Sequence, residues 1–279
     1  MSFTVFGATG FIGSRLVQSL RAQGIAVHVP ARGETAASRI DDHVVYCIGL
    51  TADFRRHRFD AVRAHAAHLA DVLENSEYES FTYLSSTRVY AGAPTGSEEE
   101  TLRVSPLNPD DLYALSKLTG EALCLGIAQP SVRVVRLSNV YGDELGSPSF
   151  LAETLRRAVT RSEVTLRSSP DTERDYVHVD DVVGLLPRVA RMGRERLYNI
   201  ASGVNVKNRD LLRVLADETG CDVVVIGTEP STSFPGIDIA RIRAEFGFEP
   251  RQLLEELPTI VGRLGGDPTT KSRLRDRSL

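Results

Sequence analysis

The chain has 279 residues, 42% of them hydrophobic and 25% charged, and a formal net charge of −4. That length can hold a large core and one or two domains, and the composition is that of an ordinary globular protein. The charge gives no reason to expect nucleic acid as a partner, and no apolar run is long enough to suggest a membrane span.

Ser2–Phe6 reads as a first strand, entered directly with no signal-peptide pattern, so a cytoplasmic protein is expected. The turn Gly7-Ala8-Thr9-Gly10-Phe11-Ile12-Gly13 follows and opens an amphipathic helix over Phe11–Gln23. This strand–turn–helix order is what a dinucleotide-binding turn requires. Gly7 permits the tight turn, Gly10 leaves the backbone open to a pyrophosphate, and Gly13 lets the helix lie close on the strand. The helix N-terminus offers N–H groups and the positive end of its dipole to phosphates. A second strand is expected over Ile25–Pro30, followed by Ala31 and Arg32 at the place where such a fold meets the adenosine ribose. An acidic residue there would favour NAD(H). A guanidinium suits a 2′-phosphate, so Arg32 inclines the reading to NADP(H), with NAD(H) as the alternative.

Val44–Ile48 is the next expected strand, and too few residues separate it from Arg32 for a full strand and helix. Phe54–Glu74 reads as a helix with Phe59, Val62, Ala66, Leu69 and Leu73 on one face. Its histidines, His57, His65 and His68, are read as surface or partly buried residues, since no further zinc ligands accompany them. Phe81–Leu84 is a strand running into Ser85-Ser86-Thr87, where a hydroxyl would meet a ligand at the carboxyl end of a sheet. Glu98-Glu99-Glu100 reads as a solvated face. Asn108-Pro109 starts a helix that carries Tyr113 and Lys117.

Further strands are expected at Val132–Leu137, Val164–Arg167, Leu197–Ile200 and Val223–Ile226. Helices are expected at Phe150–Arg161, from the Arg174–Asp181 segment to Arg191, at Asn208–Glu218, Ile237–Phe246 and Leu253–Leu264, the last kinked or broken at Pro258. The three cysteines, Cys47, Cys124 and Cys221, are scattered and lack metal-ligand spacing, so neither disulfides nor a metal site are expected. The alternation predicts an α/β fold, a doubly wound parallel (Rossmann) sheet with a smaller, interleaved mixed lobe for substrate. In this reading residues 1–142 form the NAD(P)-binding domain and 175–191 return to it. Residues 143–174 and 192–264 form the substrate lobe, and 265–279 a disordered tail.

Tyr113 and Lys117 lie four apart and so project from one helix face. A free phenol has a pKa of about 10. A neighbouring ammonium favours the phenolate and turns the tyrosine into a usable general acid or base near neutral pH. By themselves the two residues read better as a surface pair; the glycine turn and the strand-end serines give them weight.

GATGFIG at Gly7–Gly13, LSSTRVY at Leu84–Tyr90, YALSK at Tyr113–Lys117, RLSNVYG at Arg136–Gly142 and RDYVHVDD at Arg174–Asp181 occur in that order. On these motifs the chain, over roughly residues 1–265, resembles the extended short-chain dehydrogenase/reductases of the nucleotide-sugar epimerase, dehydratase and ketoreductase group. The resemblance implies Ser86, Tyr113 and Lys117 as catalytic residues. Ser86, three residues before Val89, would hydrogen-bond the sugar oxygen. Lys117 would also bond the nicotinamide ribose. Gly7, Thr9, Gly10, Phe11, Ile12, Ile48 and Val140 would line the cofactor. Asn139 and Arg174 would contact the diphosphate of a nucleotide-diphosphate sugar. A homodimer is implied through the helices over Phe54–Glu74 and Pro109–Gln129, using Leu69, Leu73, Leu115 and Leu123.

The chain departs from the family pattern at Ala91, where glycine is usual, at the missing acid after the second strand, and in the shortened third unit. The family's 4,6-dehydratases usually carry an acidic pair where this chain has Thr87 and Arg88. The expected reaction is therefore NADPH-dependent reduction of a nucleotide-linked 4-keto-(6-deoxy)sugar. An NAD-dependent 4-epimerase is the alternative, ahead of a non-catalytic cofactor sensor or a reductase of non-sugar carbonyls.

Overall fold

A computed structural model describes residues 1–35, 42–50, 54–142, 149–160, 163–227 and 234–266. Its largest element is a six-stranded, wholly parallel sheet. The strands are β1 (Ser2–Phe6), β2 (Ala26–His28), β3 (Asp42–Tyr46), β4 (Ser80–Ser86), β5 (Val132–Leu137) and β9 (Leu197–Ile200), in the spatial order β2-β1-β3-β4-β5-β9. Every residue of β3 and β5 is buried, as expected of strands covered on both faces. One face packs on α1 (Phe11–Ala22) and α6 (Val179–Met192) through Leu16, Leu20, Val182 and Leu186. The other packs on α3 (His68–Asn75) and α4 (Leu112–Gly126) through Leu69, Val72 and Cys124.

Among the described residues, no helix lies between β2 and β3. The latter begins two residues before the expected Val44 because Asp42 is buried and accepts hydrogen bonds from Ser2 and, at 2.6 Å, Thr4. The long helix expected over Phe54–Glu74 is a run of three pieces. These are α2 (Arg58–Val62), a π-helical turn (Arg63–Ala67) and α3.

A second lobe has its own apolar core of Leu151, Leu155, Leu166, Leu215, Leu257 and Ile260. It is built from α5 (Phe150–Thr160), α7 (Asn208–Thr219), α9 (Leu253–Gly266) and the parallel pair β7 (Glu163–Leu166) and β11 (Asp222–Val225). A three-stranded sheet that the sequence did not reveal, β10-β8-β6, joins the lobes. It consists of β6 (Asn139–Tyr141), β8 (Glu173–His178) and β10 (Asn205–Lys207), each short and paired with residues far away in sequence.

Several expectations are corrected. Residues 192–264 do not all join the second lobe. β9 pairs with β5 in the main sheet, and α8 (Ala240–Phe246) packs beside it, with Ile242 and Phe246 in the main core. α9 runs through Pro258 unbroken, held to the lobe by buried Leu257, Ile260, Val261 and Leu264. Gly265 and Gly266 close that helix, and the rest of the expected tail lies outside the described residues. Glu98 is buried, not solvated, and accepts a hydrogen bond from Asn199 N–H at 3.0 Å. Leu69, assigned to a dimer face, is fully buried in the core of the single chain, and Leu73 packs against the same core.

Candidate active site

Gly7 ends β1 with φ of +80°, a value that favours glycine, and a Cβ there would stand 2.9 Å from the backbone of Cys47 and Ile48. Ile48 is thus pressed against the glycine turn. At Gly13 a Cβ would sit on the carbonyl oxygen of Gly7 and 2.9 Å from its carbonyl carbon, so glycine alone lets α1 approach β1 this closely. A Cβ on Gly10 would meet only Gly7 O, at 3.3 Å, and otherwise point into open space. Gly10 caps α1 without a side-chain hydrogen bond, and no acidic residue stands in the first turn. Thr9, Phe11 and Ile12 flank this cap. The arrangement fits a dinucleotide pyrophosphate, whose charge the helix end would meet. Phe11 and Val140 also line a small crevice with Gly142 and Ser149.

Arg32 is exposed on the loop after β2. Sequence reasoning overlooked its neighbour Glu34, whose carboxylate accepts a hydrogen bond from Ala31 N–H at 2.7 Å. Glu34 lies three residues past the usual acidic position, and so carried no motif signal.

Tyr113 and Lys117 stand on successive turns of α4, both buried. Lys117 Nζ donates to Leu84 O of β4 at 2.8 Å. Burial pushes its ammonium down to about 7, against the opposing pull of Glu121 and Cys47. Glu121 is itself clamped by Arg136 (2.6 Å) and Ser85 (2.5 Å) in a buried network.

His65 is a further correction. It is fully buried on the π-helical turn, with its ring edge-on to Tyr113 at 5.3 Å. Leu50 N–H donates to Nε2 at 3.1 Å, while Nδ1 meets Ser116 Oγ at 2.9 Å. Because Ser116 Oγ donates to Tyr113 O, Nδ1 carries the ring proton and donates to Ser116. Burial, reinforced by Lys117, pushes this imidazole down to about 3, so it is neutral at physiological pH.

A cleft of about 520 Å³ opens between the lobes. Tyr113, Asn139 and Arg174 share its wall with Thr87, Arg88 and Asp175. Ser86 ends β4 immediately before Thr87, and its Oγ accepts Arg88 N–H at 3.3 Å. Asn139 Nδ2 donates to Asp175 O at 2.8 Å. The Asp175 carboxylate is buried, which raises its pKa, and accepts from Ser202 N–H and Oγ–H, both at 2.9 Å. This anchor fixes β8, and with it Arg174, whose guanidinium lies 5.4 Å over the Phe150 ring and donates to Asn208 Oδ1 at 3.4 Å. Four motifs far apart in the chain thus converge on one cleft.

A model of the NAD dependent epimerase/dehydratase family matches residues 3–77 and 42–201. The chain belongs to this family. It is therefore an enzyme of the short-chain dehydrogenase/reductase type, and a nicotinamide dinucleotide is its cofactor. Within the family it is similar to a dTDP-glucose 4,6-dehydratase of Streptomyces griseus, 30% identical over 65% of this chain and 57% of that one. It is also similar to a dTDP-4-dehydro-6-deoxy-D-allose reductase of Streptomyces bikiniensis, 26% identical over 89% and 91% of the two chains. Among solved structures, RMD from Pseudomonas aeruginosa complexed with NADPH shares the fold with a TM-score of 0.78, at 22% identity over 98% of this chain and 100% of that one.

Proposed function

We propose that this enzyme reduces the ketone of a nucleotide-linked 4-keto-(6-deoxy)sugar, with NADPH as the favoured reductant. The observation that carries the reading is the single cleft onto which Tyr113, Asn139 and Arg174 open, with Lys117 one helical turn from Tyr113. In that cleft Arg174 and Asn139 would hold the diphosphate, and the hexose would lie against Tyr113. NADPH supplies hydride to the carbonyl carbon. Tyr113 gives its phenolic proton to the carbonyl oxygen, so that C=O becomes CH–OH, and the Ser86 hydroxyl hydrogen-bonds the same oxygen. The cationic form of Lys117 lowers the cost of the phenolate left behind.

Elimination of water from the sugar needs an acid and a base next to the reacting hydroxyl, and this chain has Thr87 and Arg88 there. Arg32 supports NADPH.

A second reading has its own observation. Glu34 brings a carboxylate to the adenosine loop, a group that suits the ribose hydroxyls of NAD, as an NAD-dependent 4-epimerase would need. The deciding experiment offers nucleoside-diphosphate 4-keto-6-deoxysugars to the purified enzyme with NADPH or NADH and follows the reduced-nicotinamide absorbance. Loss of the band is expected, faster with NADPH, and slowed about 10²–10⁴-fold by Tyr113→Phe. An unchanged band with every sugar overturns the reading. Tightly retained NAD together with C4 inversion favours the epimerase.

The family resemblance also implies a homodimer. Phe59, Val62 and Leu123 are exposed on α2 and α4 and support a face for a second copy. Light scattering of wild type and Phe59→Glu tests it.

A further inference from the structure

Arg88 lines the cleft, and the proposed reaction gives it no part. It is the second residue of the 3₁₀ turn Thr87–Tyr90 that follows β4. Its guanidinium carbon lies 5.0 Å from the centre of the Tyr113 ring and 5.3 Å from that of Phe54. The two rings are themselves 5.4 Å apart, so the cation rests on an aromatic pair. Phe54 and Tyr113 belong to a small buried apolar cluster with Ala61, and Arg55 also lies over Phe54, at 5.4 Å.

Asp110 favours the charge on Arg88 from a distance but makes its ion pair elsewhere. Asp110 is bonded to Arg55 at 2.6 Å and stands largely in solvent. Arg174, across the cleft, adds like charge. Burial accordingly disfavours the charged form of Arg88, while Tyr113 favours it. A guanidinium still stays protonated at any working pH.

We propose that Arg88 is a positioning residue for Tyr113: its guanidinium, stacked on the phenol ring, favours the phenolate and so sets the pH range in which Tyr113 exchanges its proton. The attraction of a cation to an aromatic face grows when that ring carries a full negative charge, and the apolar cluster limits screening. The other titratable groups near the ring act differently. His65, edge-on from the π-helical turn, is neutral. Lys117, from the same helix, loses its charge near pH 7 because it is buried. Tyr83, from β4, is a buried phenol whose pKa is raised. The Glu121 carboxylate is taken up by Arg136. Arg88 brings onto the ring face a positive charge that does not titrate. A carboxylate at this position would act in the opposite sense and hold the phenol protonated.

This inference rests on Tyr113 being the proton donor, and its test separates the two claims. Phenolate absorbance is titrated in the cofactor-free protein, with Tyr113→Phe as the blank, for wild type, Arg88→Met and Arg88→Lys. Methionine keeps apolar packing on both rings and lysine keeps the charge without the planar stack. The Tyr113 midpoint is expected to rise by about one pH unit in Arg88→Met, and by less in Arg88→Lys. The alkaline limb of kcat for ketone reduction should move by the same amount. A midpoint that stays put in both variants overturns the proposal even if the enzyme reduces sugars. A midpoint that moves in an enzyme inactive on every 4-keto sugar upholds it while the proposed substrate falls. If Arg88→Met does not fold, the Arg88→Lys midpoint decides.

Discussion

Lys117 shows what a buried ammonium costs the fold. It is buried against β4, with the Leu84 carbonyl as hydrogen-bond acceptor, and its pKa falls to about 7. In the unfolded chain the same group titrates near a pKa of about 10.4. Between those values the unfolded state holds a proton that the folded state has lost, so stability rises with pH across that interval, by at most about 1.4 kcal/mol per pH unit. Below about pH 7 both states are protonated, and the penalty of the buried charge is present in full. Lys117→Met should therefore melt higher than wild type at about pH 6 without cofactor. The difference should shrink as pH is raised towards 10, as read from thermal melts over that range. Activity should be lost at every pH. The Tyr–Lys spacing was legible in the sequence because one helix sets it. The role of His65 was not, since its partners Leu50 and Ser116 lie 15 and 51 residues away and a lone histidine on a helix carries no motif.

The glycine turn and the π-helical turn hold the two sides of the site at the scale of elements. Gly13→Ala would drive a methyl group into the Gly7 backbone, so α1 must move off β1. The expected cost is about 1–3 kcal/mol of stability together with weaker cofactor binding. Gly10→Ala should melt like wild type, because its methyl group meets only Gly7 O at 3.3 Å, yet bind NADPH more weakly, because that methyl group points where the pyrophosphate would lie. Melting curves and fluorescence titration of bound NADPH distinguish the two effects. On the opposite side, His65 has a folded pKa of about 3 against an unfolded value of about 6.5. As pH falls from 6.5 towards 3 the unfolded chain gains a proton that the folded chain refuses, and stability is lost through that window. His65→Gln should be less stable than wild type near neutral pH but lose less on acidification to about pH 5, as measured by urea unfolding. Short, mostly apolar runs such as VRVVRL in β5 and LYNI in β9 could be read directly from the sequence as strands. The irregular turn at Arg63–Ala67 could not, because its residues keep the apolar spacing of an ordinary helix.

At the scale of the molecule, the proposed diphosphate site depends on β8, which lies outside the large sheet and sends Val177 into the main core and Tyr176 into the core of the second lobe. Its Asp175 is locked to Ser202 in the loop after β9, and its Arg174 reaches the cleft from the side of the second lobe, packed on Phe150 of α5. The sequence carried the arginine as a motif residue but not the strand, since β6, β8 and β10 are three to six residues long and pair only once both lobes are in place. A ligand that touches Arg174 therefore bridges the lobes, whereas one held by the glycine turn touches only the large domain. Each should stabilise the fold by its own amount, about 2.7 kcal/mol at a hundred times its dissociation constant. Thermal melts with NADPH alone, with a nucleoside diphosphate alone and with both should show two separate increments in wild type. Arg174→Ala should keep the NADPH increment and lose most of the nucleoside-diphosphate one. In the free protein Arg174 makes a 3.4 Å hydrogen bond to Asn208, stacks on Phe150 and bonds the buried Tyr176, so the variant should itself melt somewhat below wild type, and each increment is read against the same protein without ligand. An undiminished diphosphate increment would move the diphosphate away from β8 and with it the hexose away from Tyr113.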